Sequence, residues 1–177
     1  MKRSDKKEQV QKTYSSLIVN NFFNGEYFYD DLQKKPFVSG DAQLFPIWCG
    51  FIHNEEIILQ IMKKVTENEL DTPLPLKYAQ KTQLVEFIPQ EFFFKDYESD
   101  SIWTHMGLLW IQILKKYAKD TAKEQLGTYT RMIQENRGFC EVLFPDGKPY
   151  YSPFYYCDKT MLWAANYLAL REEKIKT

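Results

Sequence analysis

This sequence predicts an all-α fold, built from helical hairpins that are joined by long aromatic loops. Apolar residues recur at intervals of three and four in five stretches, which is the spacing of one face of a helix. No stretch shows the sustained alternation of apolar and polar residues that a half-buried strand requires. Aromatic residues make up 16% of the chain, a high share. Strand is therefore expected only in short pieces such as 139–143.

The composition is typical of a soluble globular protein. With 177 residues, 44% of them apolar and 27% charged, the chain is long enough to bury a core, and we predict a single α-helical domain over 1–177. The net charge is −1, which argues against a nucleic-acid partner because phosphate binding usually shows as a positive excess. No apolar run reaches membrane-spanning length, so no membrane partner is expected.

The cysteines and histidines favour a reducing compartment and no metal. Three cysteines without C-x-x-C spacing are typical of the cytoplasm, where we expect this protein to be. Cys140 and Cys157 bracket an aromatic loop, so a disulfide between them is an alternative. The two histidines, His53 and His105, have no paired His, Cys or Asp spacing around them, and neither a metal nor a cofactor is predicted.

The first part of the chain predicts three helices. A helix at 7–23 ends before Gly25, in an Asn-Gly pair suited to left-handed dihedral angles. A short buried helix is expected at 41–52, with Asp41 as its N-cap. Asn54 caps the third helix. Its apolar stripe comprises Ile57, Ile58, Ile61, Met62 and Val65.

Prolines break the pattern at 71–75, and the irregular stretch 77–95 predicts a long ordered loop. The clearest helix spans 101–118 and is capped by Asp100 or Ser101. Its apolar face comprises Trp103, Met106, Trp110, Ile113, Leu114 and Tyr117.

Two more helices are expected in the last third of the chain. One begins at Thr121 as its cap and ends at Gly138, and the other spans 159–170 after Asp158. Their apolar stripes comprise Ala122, Leu126, Tyr129 and Ile133 in the first, and Met161, Ala165 and Leu168 in the second.

The stretch between these two helices is the most unusual part of the sequence. Seven of the eighteen residues from 139 to 156 are aromatic, where a solvated connection would be rich in Ser, Gly, Asn and Lys. One carboxylate, Glu141, precedes a Pro-Asp-Gly-Lys turn at 145–148. Sugars have polar hydroxyls and apolar C–H faces, so their sites often combine carboxylates with flat rings. The alternative is that the rings fill a core beneath a long loop, since aromatic side chains bury large areas.

Three parts of the chain together resemble a known family. They are Ser-Gly-Asp-Ala-Gln-Leu-Phe-Pro-Ile-Trp at 39–48, Ser-Ile-Trp-Thr-His-Met-Gly at 101–107, and Gly-Phe-Cys-Glu-Val-Leu-Phe-Pro-Asp-Gly at 138–147 with Met-Leu-Trp-Ala-Ala-Asn-Tyr at 161–167. Their order and spacing are similar to the C-terminal half of the six-hairpin, (α/α)6-toroid glycoside hydrolases, in the glucoamylase, glycogen-debranching and amylo-α-1,6-glucosidase-like group. The resemblance implies part of such a toroid, acting on or binding an oligosaccharide or α-glucan.

The resemblance also implies roles for two carboxylates. Inverting members of this group use one carboxylic acid to protonate the leaving oxygen and one carboxylate to activate water. The resemblance places Glu141 near the position of the catalytic base. The residues alone also fit an exposed glutamate on a short strand between Cys140 and Val142. The general acid would lie in a preceding portion that this chain lacks, unless Asp41 has that role rather than that of an N-cap. We therefore expect the isolated chain to show little or no glycosidase activity.

Further candidates for contacts with the sugar are Trp48, His105, Tyr150, Tyr155 and Trp163. The rings would stack on sugar faces, although aromatic residues at helical spacing also fit a core. His105 falls off the apolar face of its helix, beside a polar cavity or at the surface. The alternative function is a non-catalytic all-α binding or assembly module. Either way, half a toroid exposes apolar helix faces, which predicts a homo-oligomer or a complex with a complementing N-terminal glycosidase half.

Overall fold

The protein is mainly α-helical, as predicted. The computed structural model describes residues 3–80, 89, 93–94, 96–97 and 99–172, and these contain six helices and two pairs of two-residue strands. The chain divides into two compact units, Met1–Asn68 and Glu69–Thr177. The toroid and the single domain over 1–177 stay predictions.

The first unit consists of α1 (Arg3–Phe22), α2 (Gly40–Trp48) and α3 (Glu55–Glu67). The predicted stop after α1 is confirmed, because Gly25 has a φ of +98° and Phe23 bridges to Phe28 across the turn. The predicted cap of α3 is also confirmed, since the Ile57 amide donates to Asn54 Oδ1 at 3.2 Å. Of the predicted stripe of α3, three residues are buried: Ile58, Ile61 and Val65.

Asp41 is not the N-cap of α2, so that prediction is wrong. Ser39 has the extended backbone of a cap residue, with φ −96° and ψ 143°, and Asp41 lies within the first helical turn. The helix also ends at Trp48, earlier than expected, and Gly50 beyond it has a φ of +73°. The buried Gln43 side chain instead ties α2 to the preceding loop, because its amide both donates to and accepts from the Phe28 backbone at 2.8 Å.

In the residues that the structure describes, the second unit has three helices and four short strands. They are β1 (Ile102–Trp103), α4 (Thr104–Tyr117), α5 (Lys119–Asn136), β2 (Val142–Leu143), β3 (Tyr151–Ser152), β4 (Tyr155–Tyr156) and α6 (Ala164–Glu172). Strands β1 and β2 are antiparallel, and so are β3 and β4. The strand predicted at 139–143 is thus confirmed only for its last two residues.

Helix α4 begins later than predicted and is buried on more sides. Ser101 and Asp100 do not cap it, because Ile102 and Trp103 are extended and pair with β2, which leaves Trp103 in the N-cap position. The helix packs against both α5 and α6, so its buried residues extend beyond the single predicted face. They are Thr104, Met106, Gly107, Leu108, Trp110, Ile111, Ile113 and Leu114.

Helix α5 starts at Lys119, before the predicted cap Thr121, and follows α4 directly through Ala118. Its end is as predicted, except that Arg137 rather than Gly138 takes the left-handed conformation, with a φ of 52°. Gly138 is needed for another reason, since a Cβ there would lie 2.9 Å from Lys159 Cβ. The buried residues of α5 are Ala122, Leu126, Tyr129 and Met132, so Met132 takes the place expected for Ile133.

The last helix was predicted at 159–170, but α6 spans Ala164–Glu172. Asp158 closes a turn ahead of the helix, because its Oδ1 accepts from the amide and the hydroxyl of Thr160, both at 2.7 Å. Leu168, which belonged to the predicted apolar stripe, is exposed in the structure. Trp163, Tyr167 and Leu170 are buried instead. The loop predicted at 77–95 lies largely outside the described residues.

A tight contact between α4, α5 and the chain at Pro75 yields the first prediction. A Cβ on Gly107 would lie well inside contact distance of Pro75 O and Tyr129 Oη, both of which are part of the core. We expect Gly107→Ala to lower the free energy of unfolding by about 1–3 kcal/mol, because backbone atoms cannot move aside cheaply. Urea denaturation measures the change.

The matched control is Gly127→Ala in α5, where a Cβ would meet nothing within 4 Å. There we expect a gain of roughly 0.5–1 kcal/mol, because alanine restricts the unfolded chain more than glycine does. Equal effects of the two substitutions would contradict the close packing of α4 at Gly107.

Candidate functional site

The backbone of Glu141 is fixed on both sides between α5 and β2. Its amide donates to Asp158 O at 2.8 Å. Its carbonyl accepts from the Thr104 amide at 3.3 Å and from Thr104 Oγ1 at 2.8 Å. The neighbours Cys140 and Val142 are buried, whereas Glu141 is half-buried. The carboxylate therefore projects from an anchored backbone toward the surface of the second unit.

Tyr155 on β4 donates a hydrogen bond from its hydroxyl to Glu141 Oε2. Burial raises the pKa of Tyr155 well above its usual value, and the hydrogen bonds with Glu141 and Tyr97 raise it further. The phenol therefore keeps its proton at all physiological pH values. Glu141 and Tyr155 form a stable acceptor–donor pair that joins the chain before β2 to the β3–β4 hairpin.

His105 lies in the first turn of α4, within the electrostatic field of Glu141. Burial lowers the pKa of His105 below its usual 6.5, and the charge of Glu141 opposes part of that effect. Its ring meets the edge of Trp103 with centroids 5.8 Å apart. At neutral pH His105 is therefore an uncharged imidazole that can donate from one ring nitrogen and accept at the other.

Two more aromatic rings, those of Tyr97 and Tyr150, lie beside Trp103 and Tyr155. Tyr97 lies at their centre, with its ring centroid 5.0 Å from Trp103, 5.2 Å from Tyr150 and 5.3 Å from Tyr155. The rings of Tyr97, Trp103 and Tyr155 are half-buried, whereas Tyr150 is fully buried behind them. We call these residues the Glu141 cluster: Tyr97, Trp103, His105, Glu141, Tyr150 and Tyr155.

Four of the seven predicted site residues lie in this cluster: His105, Glu141, Tyr150 and Tyr155. Trp163 is buried and donates from Nε1 to Cys140 O at 3.0 Å, so it supports the backbone beside Glu141. Asp41 and the exposed Trp48 belong to the first unit. Sequence reasoning missed Tyr97, which follows an irregular stretch without any helical pattern, and it assigned Trp103 to a helix core.

Asp41 lines a cavity of its own in the first unit. The cavity has a volume of about 230 Å³ and is bordered by Asp30 and by apolar side chains such as Phe28 and Phe45. Burial raises the pKa of Asp41, and the neighbouring carboxylate of Asp30 raises it further. The Ala42 amide donates to Asp41 Oδ1 at 2.8 Å, which opposes the rise. Asp41 thus retains its proton to a higher pH than an ordinary aspartate.

Comparisons with protein-family models, with characterised proteins and with solved structures give no match for this chain. In the parts of the chain that the structure describes, no helix has the length and apolarity to cross a membrane. Across those same residues, no three His, Cys, Asp or Glu side chains gather in a way that could hold a metal ion. The likeness to glycoside hydrolases remains a prediction that rests on the motifs quoted above.

The coupling between His105 and Glu141 can be tested directly. The charge of Glu141 favours the imidazolium, so we expect Glu141→Gln to lower the pKa of His105 further. The pKa of His105 is measured by proton NMR of the imidazole signals over a pH titration. A His53→Gln background leaves His105 as the one histidine. The control is Asp146→Asn, since that carboxylate binds Lys148 Nζ at 2.8 Å. A His105 pKa that is unchanged by Glu141→Gln would contradict the coupling.

The lowered pKa of His105 also makes the free energy of unfolding depend on pH. Because the folded-state pKa of His105 lies below the unfolded value of about 6.5, the unfolded chain binds more protons between the two values. The contribution of His105 to the free energy of unfolding is therefore complete above that window and is lost as the pH falls through it.

Proposed function

We propose that the second unit binds a carbohydrate of the oligosaccharide or α-glucan class at the Glu141 cluster, and that this chain alone does not hydrolyse it. The observation that carries the proposal is the Glu141–Tyr155 hydrogen bond among half-buried aromatic rings. A carboxylate accepts hydrogen bonds from sugar hydroxyls, and the faces of flat rings pack on sugar C–H groups. The resemblance to glucoamylase-like enzymes, which rests on the motifs alone, points to the same class of ligand.

The polar groups of the cluster complement sugar hydroxyls both as hydrogen-bond donors and as hydrogen-bond acceptors. Glu141 accepts, and the neutral ring of His105 donates at one nitrogen and accepts at the other. The Tyr155 hydroxyl already donates to Glu141 Oε2 and keeps acceptor capacity on its oxygen. Because the backbone on either side of Glu141 is anchored by hydrogen bonds, little conformational entropy is lost when a ligand binds.

The proposal of binding without hydrolysis rests on the carboxyl groups of the described residues in the cluster. Inversion at a glycosidic bond requires a proton donor and a base on two carboxyl groups about 6.5–9.5 Å apart. Among the described residues that make up the cluster, Glu141 is the one carboxylate, and its Oε2 already accepts a hydrogen bond from Tyr155. Loss of acid–base assistance alone costs about 10²–10⁴ in rate.

The binding test is calorimetric titration of the chain with maltooligosaccharides, isomaltose-type and trehalose-type sugars. We expect at least one series to bind, and Glu141→Gln to weaken that binding roughly 10- to 100-fold, since a hydrogen bond to a charged group contributes about 1.5–3 kcal/mol. Asp146→Asn removes an exposed carboxylate of the same unit and should leave affinity unchanged. Absence of binding to all three series, or equal losses in both variants, would refute the sugar site.

The accompanying expectation is that the wild-type chain releases no sugar above background from the same substrates. Robust turnover that disappears in Glu141→Gln would show that a complete acid–base pair is present.

A second candidate function is assembly, which the exposed rings of the β3–β4 hairpin favour. Tyr151, Phe154 and Tyr156 are 64%, 71% and 81% exposed, more than is usual for adjacent aromatic side chains. We expect the chain to self-associate at micromolar concentrations, and Phe154→Ser with Tyr156→Ser to weaken the association. Sedimentation velocity measures it, and a wild-type monomer over that range would contradict assembly through the hairpin.

A further inference from the structure

Two buried thiols lie in contact directly beside the Glu141 cluster. Cys140 is 0% exposed and Cys157 is 8% exposed, and both are free cysteines. The Cys157 thiol is within hydrogen-bonding reach of the Cys140 thiol. The two residues bracket the loop that carries β3 and β4. Neither thiol has a role in the carbohydrate site proposed above.

Backbone hydrogen bonds hold the two segments that carry Cys140 and Cys157 at a separation that a disulfide can span. The Glu141 amide donates to Asp158 O at 2.8 Å, and these are the residues that directly follow the two cysteines. The Cys157 amide donates to Tyr150 O at 3.1 Å, and the Tyr150 amide donates to Val142 O at 3.1 Å. Neighbouring chains joined in this way lie roughly 5 Å apart. That spacing is within the range of Cα separations found in disulfides.

Cys140 is also fixed from its other side. Its carbonyl accepts from Thr104 Oγ1 at 2.6 Å and from Trp163 Nε1 at 3.0 Å. These bonds fix the backbone from which the Cys140 sulfur projects. Burial, and then the neighbouring Cys157, raise the pKa of Cys140 to about 12. In the reduced protein Cys140 is a neutral thiol, so it is not the thiol that makes the first attack.

We propose that Cys140 and Cys157 are a redox-active pair that closes into an intramolecular disulfide when the protein meets hydrogen peroxide. Cys157 is the more exposed of the two and reacts first. Its thiolate attacks one peroxide oxygen, the O–O bond breaks, and the departing hydroxide takes up a proton to give water. Cys140 then loses its proton and attacks the Cys157 sulfur of the sulfenic acid, and the S–O bond breaks as a second water leaves. Two thiols are oxidised to one disulfide while hydrogen peroxide is reduced to two waters.

The disulfide would tie together the two ends of the 140–157 loop, on which Glu141 and Tyr155 both lie. A covalent bond there restricts the unfolded chain and leaves the folded backbone where the hydrogen bonds already hold it. Oxidation is therefore expected to make the loop more resistant to unfolding. This inference stands apart from the sugar site, because it concerns the two sulfurs alone.

The experiment uses the full chain with Cys49→Ser, which removes the exposed thiol that would otherwise dominate the reaction. The folded protein is treated with hydrogen peroxide, quenched, unfolded in the presence of N-ethylmaleimide and analysed by intact mass and peptide mapping. We expect a monomer that has lost two hydrogens, takes up no maleimide and yields a linked peptide pair containing residues 140 and 157. Dithiothreitol should restore two reactive thiols.

Two comparisons exclude a trivial cross-link. Cys157→Ser in the same background should give no intramolecular bond and one maleimide adduct. The oxidised Cys49→Ser protein should unfold at a higher urea concentration than its reduced form. Two maleimide adducts after peroxide treatment, a bond that forms only in urea, or a lower unfolding midpoint after oxidation would each overturn the proposal. The Cys49→Ser protein decides the matter even if the Cys157→Ser variant does not fold.

Discussion

The second unit depends on the hydrogen bonds made by one buried residue, Thr104. Its hydroxyl lies 2.6 Å from Cys140 O and 2.8 Å from Glu141 O, and its amide donates to Glu141 O. Its own carbonyl accepts from the Tyr129 hydroxyl at 3.1 Å, which also donates to Pro75 O. The start of α4, the chain before β2, and α5 therefore meet at this residue. A buried polar group that loses its partner costs about 1–3 kcal/mol, so the loss of any one of these hydrogen bonds would destabilise the unit.

This constraint explains why a charged residue and two thiols occupy defined positions within a largely apolar unit. The backbone of Cys140 and Glu141 is held by α4, and the two side chains differ in burial, since Cys140 is buried and Glu141 is half-buried. Cys140 turns inward against Cys157, whereas Glu141 turns toward Tyr155 and His105. The same short segment thus carries a half-buried carboxylate and a sulfur that is buried beside a second sulfur.

The two carboxyl groups singled out by the resemblance differ in their surroundings. Asp41 borders an apolar cavity beside Asp30, and burial with like charge raises its pKa, which suits a group that retains a proton. Glu141 instead accepts a hydrogen bond from a phenol. Each lies in its own compact unit. In the described part of the second unit, the Glu141 cluster brings hydrogen-bond donors, acceptors and aromatic rings together, and the proposed carbohydrate site rests on these groups.

The sequence by itself determined the features that depend on neighbouring residues. The cap of α3 at Asn54, the stop at Gly25 and the helical character of most of the chain follow from short-range hydrogen bonds and from spacing, and all were predicted. Tertiary structure decided the rest. Ile102 and Trp103 form a strand because their backbone pairs with Val142 and Leu143, which are distant in sequence. No local sequence pattern predicts such a pairing. Tyr97 joined the Glu141 cluster for the same reason, since contacts between residues far apart in sequence are set by packing of the whole unit and not by periodicity.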